Sequence, residues 1–281
     1  DIVKIIINSK NPIFYIGQGA KHTSKELYDC IKKSNIPCTS TIHGKGIFPE
    51  NEDLSLKWCG MHGMASANFA IQQSDCIIAI GSRFDDRTTG NTEYYAPIAK
   101  KKKQIIHIDI EEKQFNRAIN SDYNLLIDSK EFLEKLLPKL ENNNRTKWKN
   151  NILYLKEKHD FKYNIPNDNT LTSPVVINEI NDYLKEFKNN YHITTGVGNH
   201  QMMTYQFIEG LKPNRIHSSG SLGVMGVGLP YSIGVQIGNP GDLVIDIDGD
   251  SSFMMTMGDL KTIKEYNLPI KIVILNDGKQ M

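Results

Sequence analysis

Short runs of aliphatic and β-branched residues alternate with amphipathic stretches along the whole chain, and this alternation limits the fold more than any other feature. Strands that recur after helical segments read as parallel βαβ units. Two such series are visible. The first has an apolar run at 13–16, the turn Gly17, Gln18 and Gly19, and a helical stretch with Leu27 and Ile31 on one face. Further strands are expected at 76–80, 104–108 and 124–127, with a closing helix at 132–140. The stretch ENNNRTKWKNN, charged helical sequence to about residue 162 and the polar run NIPNDNT follow. They read as a connection, because such composition does not bury a core. The second series has a helix at 174–187 opened by Pro174, a strand at 191–195, a helix at 201–207 and a glycine-rich turn at 220–228. A strand at 243–247, a helix at 253–266 and a strand at 270–275 complete it. The expectation is an α/β protein of two doubly wound parallel-sheet domains, 1–140 and 170–281, joined by a linker at 141–169. Ending just past a strand, the second domain reads as truncated at its C-terminus.

Composition narrows the function classes. With 281 residues there is room for two cores. The 33 basic and 32 acidic side chains leave a net charge of +1, so no global field recruits nucleic acid or an anionic membrane. The run Lys100, Lys101, Lys102 and Lys103 reads as a solvated lead-in to the next strand. Cys30, Cys38, Cys59 and Cys76 lack CxxC spacing, which suits reduced thiols in a cytosol-like compartment. No apolar stretch reaches the roughly 18 residues of a membrane span. The chain opens without a signal peptide or an initiator Met, and reads as a piece of a longer protein.

Glycine-rich loops are the candidates for chemistry. Gly17 and Gly19 follow a strand, but His22 stands where a dinucleotide fingerprint has its third glycine. Lys45 lies between Gly44 and Gly46 with no Ser or Thr after it, so no phosphate loop of the Walker type is present. The run Asp246, Ile247, Asp248, Gly249, Asp250, Ser251, Ser252, then a helix and the strand that leads to Asp277, places Asp250 and Asp277 beyond the carboxyl ends of two parallel strands. Two oxygen donors there suit Mg²⁺, which fills its octahedron with phosphate oxygens and water. Ser251 and Ser252 would open a helix whose amides favour an anion. Taken singly, Asp250 also reads as a helix cap and Asp277 as the start of a turn. The loop TTGVGNH offers amides and two side-chain donors, Asn199 and His200, to a phosphate. In SGSLGVMGVGLP, Met225 among the glycines reads either as a prop under a flat ligand or as core filler.

Gly249-Asp250-Ser251 followed 27 positions later by Asn276-Asp277 resembles the thiamine-diphosphate signature GDG…NN. With TTGVGNHQM, SGSLGVMGVGLP, GSRFDDRTTGN and WCGMHG, the chain resembles the large catalytic subunit of acetohydroxyacid (acetolactate) synthase over nearly its whole length. The resemblance implies a Rossmann-like middle domain associated with FAD and a diphosphate-binding domain for thiamine diphosphate and Mg²⁺. Asp250, Asp277 and the Lys279 carbonyl would hold the metal. Asn199, His200, Ser251 and Ser252 would face the diphosphate. Gly223, Val224 and Met225 would face the aminopyrimidine. Met225 is the one catalytic residue the resemblance assigns here, holding the cofactor bent. Flavin contacts would come from Gly17, Gln18, Gly19, Thr41, Ile42, Gly60, Met61, His62, Gly81, Ser82, Arg83, Phe84, Asp85, Asp109, Ile110 and Asp128. Arg83 and Arg87 also read as diphosphate partners or as a surface cluster with Asp85 and Asp86.

The implied reaction is decarboxylation of pyruvate and transfer of the two-carbon unit to pyruvate or 2-ketobutyrate, in branched-chain amino-acid biosynthesis. The implied assembly is a homodimer or larger with a regulatory small subunit, in a bacterial cytoplasm or plastid stroma. The sequence departs from the pattern at three points. The pyrimidine-binding domain that brings the activating glutamate and the C-terminal segment that closes the site fall outside the chain, so the chain alone is expected not to turn over pyruvate. Asp277 replaces the second Asn and adds a negative charge. Ile127 stands where the flavin pocket has glycine. Rival readings are a flavin-free acetolactate synthase, a pyruvate oxidase, a glyoxylate carboligase, a non-catalytic nucleotide-binding module and, more remotely, a NAD dehydrogenase.

Overall fold

The computed structural model describes residues 1–168 and 170–278. Two compact units emerge: Asp1–Asp160 with Gly210–Pro213, and Phe161–Glu209 with Asn214–Met281. Among the described residues the first unit holds strands β1 Pro12–Ile16, β2 Cys38–Ser40, β3 Ser55–Trp58, β4 Cys76–Ile80, β5 Ile105–Asp109 and β6 Tyr123–Leu126. Their order is β3-β2-β1-β4-β5-β6 and every pairing is parallel. The continuous apolar runs PIFYI and CIIAI are buried at every residue, as central parallel strands covered on both faces must be. Helices Ser24–Ser34 and Ser129–Leu136 lay Leu27, Ile31, Leu133 and Leu136 onto the core around Phe14, Ile16, Ile78 and Ile106. The strand order reverses between β1 and β4, the position where open sheets form a crevice.

The stretch 141–160 is not a bare connection but part of the first unit. Helix Thr146–Lys158 buries Trp148, Ile152 and Leu155, a narrow stripe at helical spacing inside otherwise polar sequence. Trp148 Nε1 donates to the Pro12 carbonyl at 2.9 Å. Arg145, itself buried, donates to the carbonyls of Ser34 at 2.7 Å, Ile6 at 3.0 Å, and Ile7 and Ser9 at 3.2 Å. Those carbonyls lie at the C-terminal ends of helices Ile2–Asn8 and Ser24–Ser34, where a cation is favoured.

The second unit holds β7 Tyr191–Thr195, β8 Ile216–His217, β9 Leu243–Gly249 and β10 Lys271–Leu275, in the order β10-β9-β7-β8 and all parallel. Ile177, Leu184 and Ile208 pack on Ile193, Ile245 and Ile247 on one face of this sheet. Helix Gly228–Gly238 covers the other face, where Asp246 and Asp248 alternate with those isoleucines. The expected helix over 253–266 is broken into Asp250–Met254, a 3₁₀ turn Met257–Asp259, and Leu260–Glu265. Thr256 sits at the break, its hydroxyl turned to the Gly226 carbonyl. All four cysteines are free and buried, and burial pushes their thiols up, so they are protonated core residues. No helix among the described residues is long and apolar enough to cross a membrane.

Candidate active site

Because β7, β9 and β10 are adjacent and parallel, the loops leaving their carboxyl ends open on one edge. A cavity lies there. Asn199 and His200 reach it from the loop after β7, Asp250, Ser251 and Ser252 from β9, and Asp277 from β10. Met225, from the glycine-rich loop, completes its wall. Gly223 and Val224 do not line it; their amides donate to the Ser219 carbonyl and hydroxyl, each at 3.1 Å. Lys279 lies outside the described residues.

Close backbone approach makes this convergence work. A Cβ on Gly196 would stand 2.0 Å from Asp248 Oδ1 and 2.1 Å from Ser252 Oγ, so only glycine lets the β7 loop lie against β9. A Cβ on Gly249 would meet His200 Nδ1 at 2.7 Å. The buried His200 ring sits in the space this glycine leaves, with Nε2 3.1 Å from Asp248 Oδ1. Asp246 accepts the Thr194 hydroxyl at 2.8 Å. Burial pushes the Asp246 carboxyl up to about 7; the Thr194 bond opposes this and the Asp248 charge adds to it.

Asp250 is not the helix cap: Gly249 takes that position, and Asp250 is the first helical residue. Asn276 Oδ1 accepts the Gly278 amide at 2.9 Å, so Asn276 shapes the turn that presents Asp277. Among the described residues no three His, Cys, Asp or Glu side chains converge as a self-contained metal site. Two carboxylates on a cavity wall, with helix amides and Asn199 nearby, suit a hard cation that keeps part of its shell for phosphate oxygens, as Mg²⁺ does.

The first unit's candidates also share one edge. Gly17, Gln18 and Gly19 follow β1; Thr41 and Ile42 follow β2; Gly60, Met61 and His62 follow β3; Gly81, Ser82, Arg83, Phe84 and Asp85 follow β4. Asp109 ends β5, with Ile110 after it, and Asp128 follows β6. Several of these are occupied with the protein itself. A Cβ on Gly17 would stand 2.1 Å from the Gly81 carbonyl oxygen, so the loops after β1 and β4 interlock through bare backbone. Phe84, at φ +50°, is buried and stacked on Tyr15 at 5.1 Å. The Ser82 carbonyl lies 2.8 Å from His107 Nε2. Asp85 caps helix Asp86–Thr89 through the Thr88 amide at 3.2 Å. Asp128 caps helix Ser129–Leu136 through the Lys130 amide at 2.8 Å and pairs with His22 at 3.3 Å. Met61, His62, Arg83 and Ile110 are exposed on this edge. A 3₁₀ turn, Gln18–Ala20, separates β1 from its helix, so the glycines do not open a helix in the dinucleotide manner. Ile127 is partly buried against the core.

Sequence reasoning gave no role to four residues around the second unit's cavity. Thr194 and Thr256 carry no motif. The pair Asp246 and Asp248, charges at alternate positions of an otherwise apolar strand, was the one signal available.

These two arrangements agree with the comparisons. Residues 1–136 match the central domain of the thiamine pyrophosphate enzymes, and 196–281 match their C-terminal TPP binding domain. The chain belongs to the thiamine pyrophosphate enzymes. It is similar to acetolactate synthase 1, chloroplastic, of Nicotiana tabacum, at 38% identity over 98% of this chain and 41% of that protein. It is 36% identical to the mitochondrial acetolactate synthase of Schizosaccharomyces pombe, over 99% of this chain and 44% of that one. Identity is 40% to the acetolactate synthase large subunit of Porphyra purpurea, over 99% of this chain and 47% of that subunit. The chain thus spans less than half the length of the curated relatives it matches.

Proposed function

We infer that the chain supplies the central and diphosphate-binding parts of an acetolactate synthase catalytic subunit, which joins a two-carbon unit from pyruvate to a second 2-ketoacid. The observation that carries this is the cavity where Asn199, His200, Met225, Asp250 and Asp277 converge from four loops, in a chain similar over nearly all its length to acetolactate synthases. When bound, thiamine diphosphate supplies the electron sink for decarboxylation. In this reading Asp250 and Asp277 hold Mg²⁺ against the diphosphate, and Asn199 donates to a phosphate oxygen. His200, fixed between Gly249 and Asp248, walls the cavity on the β7 side. Met225 offers an apolar surface to the cofactor's rings and excludes water from beneath them. FAD belongs to the carboxyl edge of the first sheet, where exposed Arg83 and the loops at the β1/β4 reversal fit an extended dinucleotide. The same reading includes assembly as a homodimer or larger, a regulatory small subunit, and the ketoacids as small-molecule substrates.

The test is calorimetric titration of the purified chain with thiamine diphosphate, with and without Mg²⁺. Binding that requires Mg²⁺ and is lost in Asp250→Ala supports the reading. Metal-independent binding, or none in the well-folded, complete protein that contains this chain, overturns it. A visible spectrum after purification in FAD tests the flavin part in the same way: retained flavin bands support it and a colourless, folded chain removes it.

A further inference from the structure

The glycine-rich loop that carries Met225 is tied to itself through the Gly223 and Val224 amides, which donate to Ser219. Gly223 and Gly226 both take positive φ, at +72° and +77°, and Leu222 and Val224 between and before them are exposed. Two side chains grip it at one residue. The Gly226 amide donates to Ser252 Oγ at 3.0 Å, and the Thr256 hydroxyl donates to the Gly226 carbonyl at 2.8 Å. Both come from the segment that begins with Asp250, and the break in the expected helix at 255–256 is what turns the Thr256 hydroxyl toward the loop. The fit is close as well as bonded: a Cβ on Gly226 would meet Met255 Cβ at 3.0 Å and Thr256 Cγ2 at 3.2 Å.

We propose that Thr256, together with Ser252, is a positioning residue for Met225: it clamps the neighbouring peptide of Gly226 to the Asp250 segment, so that the metal end and the ring end of the cavity are set by one element. The proposal rests on the reading that Met225 props the cofactor's rings while Asp250 holds the metal at its diphosphate. Loss of the Thr256 half of the clamp should then be felt by the ring end alone. Nothing that touches the diphosphate changes, because Thr256 bonds neither Asp250 nor the β7 loop.

The experiment compares two probes on the full chain, thiamine diphosphate with Mg²⁺ and inorganic pyrophosphate with Mg²⁺, in wild type, Thr256→Val and Thr256→Ser. Valine keeps the branched shape and removes the hydroxyl; serine keeps the hydroxyl. Thr256→Val is expected to weaken thiamine diphosphate about tenfold, the size of one lost hydrogen bond that leaves its acceptor behind. Pyrophosphate binding should be unchanged, and Thr256→Ser should restore the wild-type value. Equal loss on both probes, no loss on either, or failure of serine to restore would overturn the proposal. If wild type binds neither probe, the reading of the cavity falls, and hydrogen exchange over 222–227 decides the clamp by itself. Faster exchange in Thr256→Val with serine as wild type then supports it, and unchanged exchange overturns it.

Discussion

At the carboxyl edge of the first sheet Phe84 is stacked on Tyr15, Asp85 and Asp128 cap helices, and Gly17 lies against the backbone of Gly81. At the corresponding edge of the second sheet Gly249 takes the cap, leaving Asp250 beside Asn199 and Asp277 around a cavity. Both edges are built from loops after parallel strands, yet one directs much of its polar chemistry inward and the other sets it on the wall of a cavity. A motif residue at the first edge therefore contributes to stability before it contributes to binding. At the second edge the two roles fall on different residues: Gly196, Asp246 and Asp248 build the wall, and Asp250 and Asp277 stand on it.

This separation can be broken by substitution. The largest effect is expected in the interior of the first unit, where the side chains of Lys45 and Glu50 form a buried ion pair. Lys45→Met leaves the Glu50 carboxylate buried without its cation and should cost about 3–5 kcal/mol in denaturant unfolding, with pyrophosphate binding intact in the protein that remains folded. Next, Asp250→Ala should lower Mg²⁺-dependent binding of pyrophosphate by about a hundredfold or more, since even supporting residues around metals cost 10–100-fold. Its unfolding midpoint should stay within about 0.5 kcal/mol of wild type. If Asp250→Ala unfolds the chain instead, the contrast between the two edges fails.

A smaller effect depends on pH. At the far end of β7 and β8, His192 Nδ1 lies 3.0 Å from His217 Nε2, and Asp242 and Arg215 lie 3.2 and 3.3 Å from His192 Nε2. Burial, the neighbouring His192 and Arg215 push His217 down to about 4. A histidine whose folded value is depressed takes up its proton more readily in the unfolded chain, near 6.5. Its contribution is thus complete above about pH 6.5 and is lost progressively as pH falls toward 4. His217→Gln should flatten the acid limb of stability measured by urea unfolding between pH 7 and 4.5; an unchanged limb would assign it to other groups. The smallest effect is expected at Asp128. Removing this cap in Asp128→Ala should cost about 1 kcal/mol, and flavin retention compared at equal folded fraction then shows whether the residue serves the ligand as well.

The sequence announced β1 and β4 because buried parallel strands are apolar without interruption, and β7 and β9 through β-branched and aliphatic runs that His192, Asp246 and Asp248 interrupt. It was silent on β2 and β3, whose short segments CTS and SLKW carry polar residues, with Lys57 at φ +59°. Helix Gly228–Gly238 escaped for the opposite reason: GLPYSIGVQIG has no charged face and several glycines, so its period does not show. Of the candidate site, the residues after strands were legible because strand ends are legible. The residues that hold them were not, since Thr194 and Thr256 act through single hydroxyl bonds that leave no mark in spacing. At 141–160 the helical character was legible, but the stripe Trp148, Ile152 and Leu155 that seats this helix on the first unit was hidden among charges.

Arg145 bears on the order in which the protein is made. Its bonds to Ile6, Ile7 and Ser9 bridge 136 to 139 positions of the chain, so the opening helix emerges from the ribosome long before the residue that secures its end. At about 5–20 residues per second, many seconds of synthesis separate the two. Helix Ile2–Asn8 therefore gains the anchor of its C-terminal carbonyls only once Arg145, at the head of the helix that carries Trp148 and Leu155, has followed.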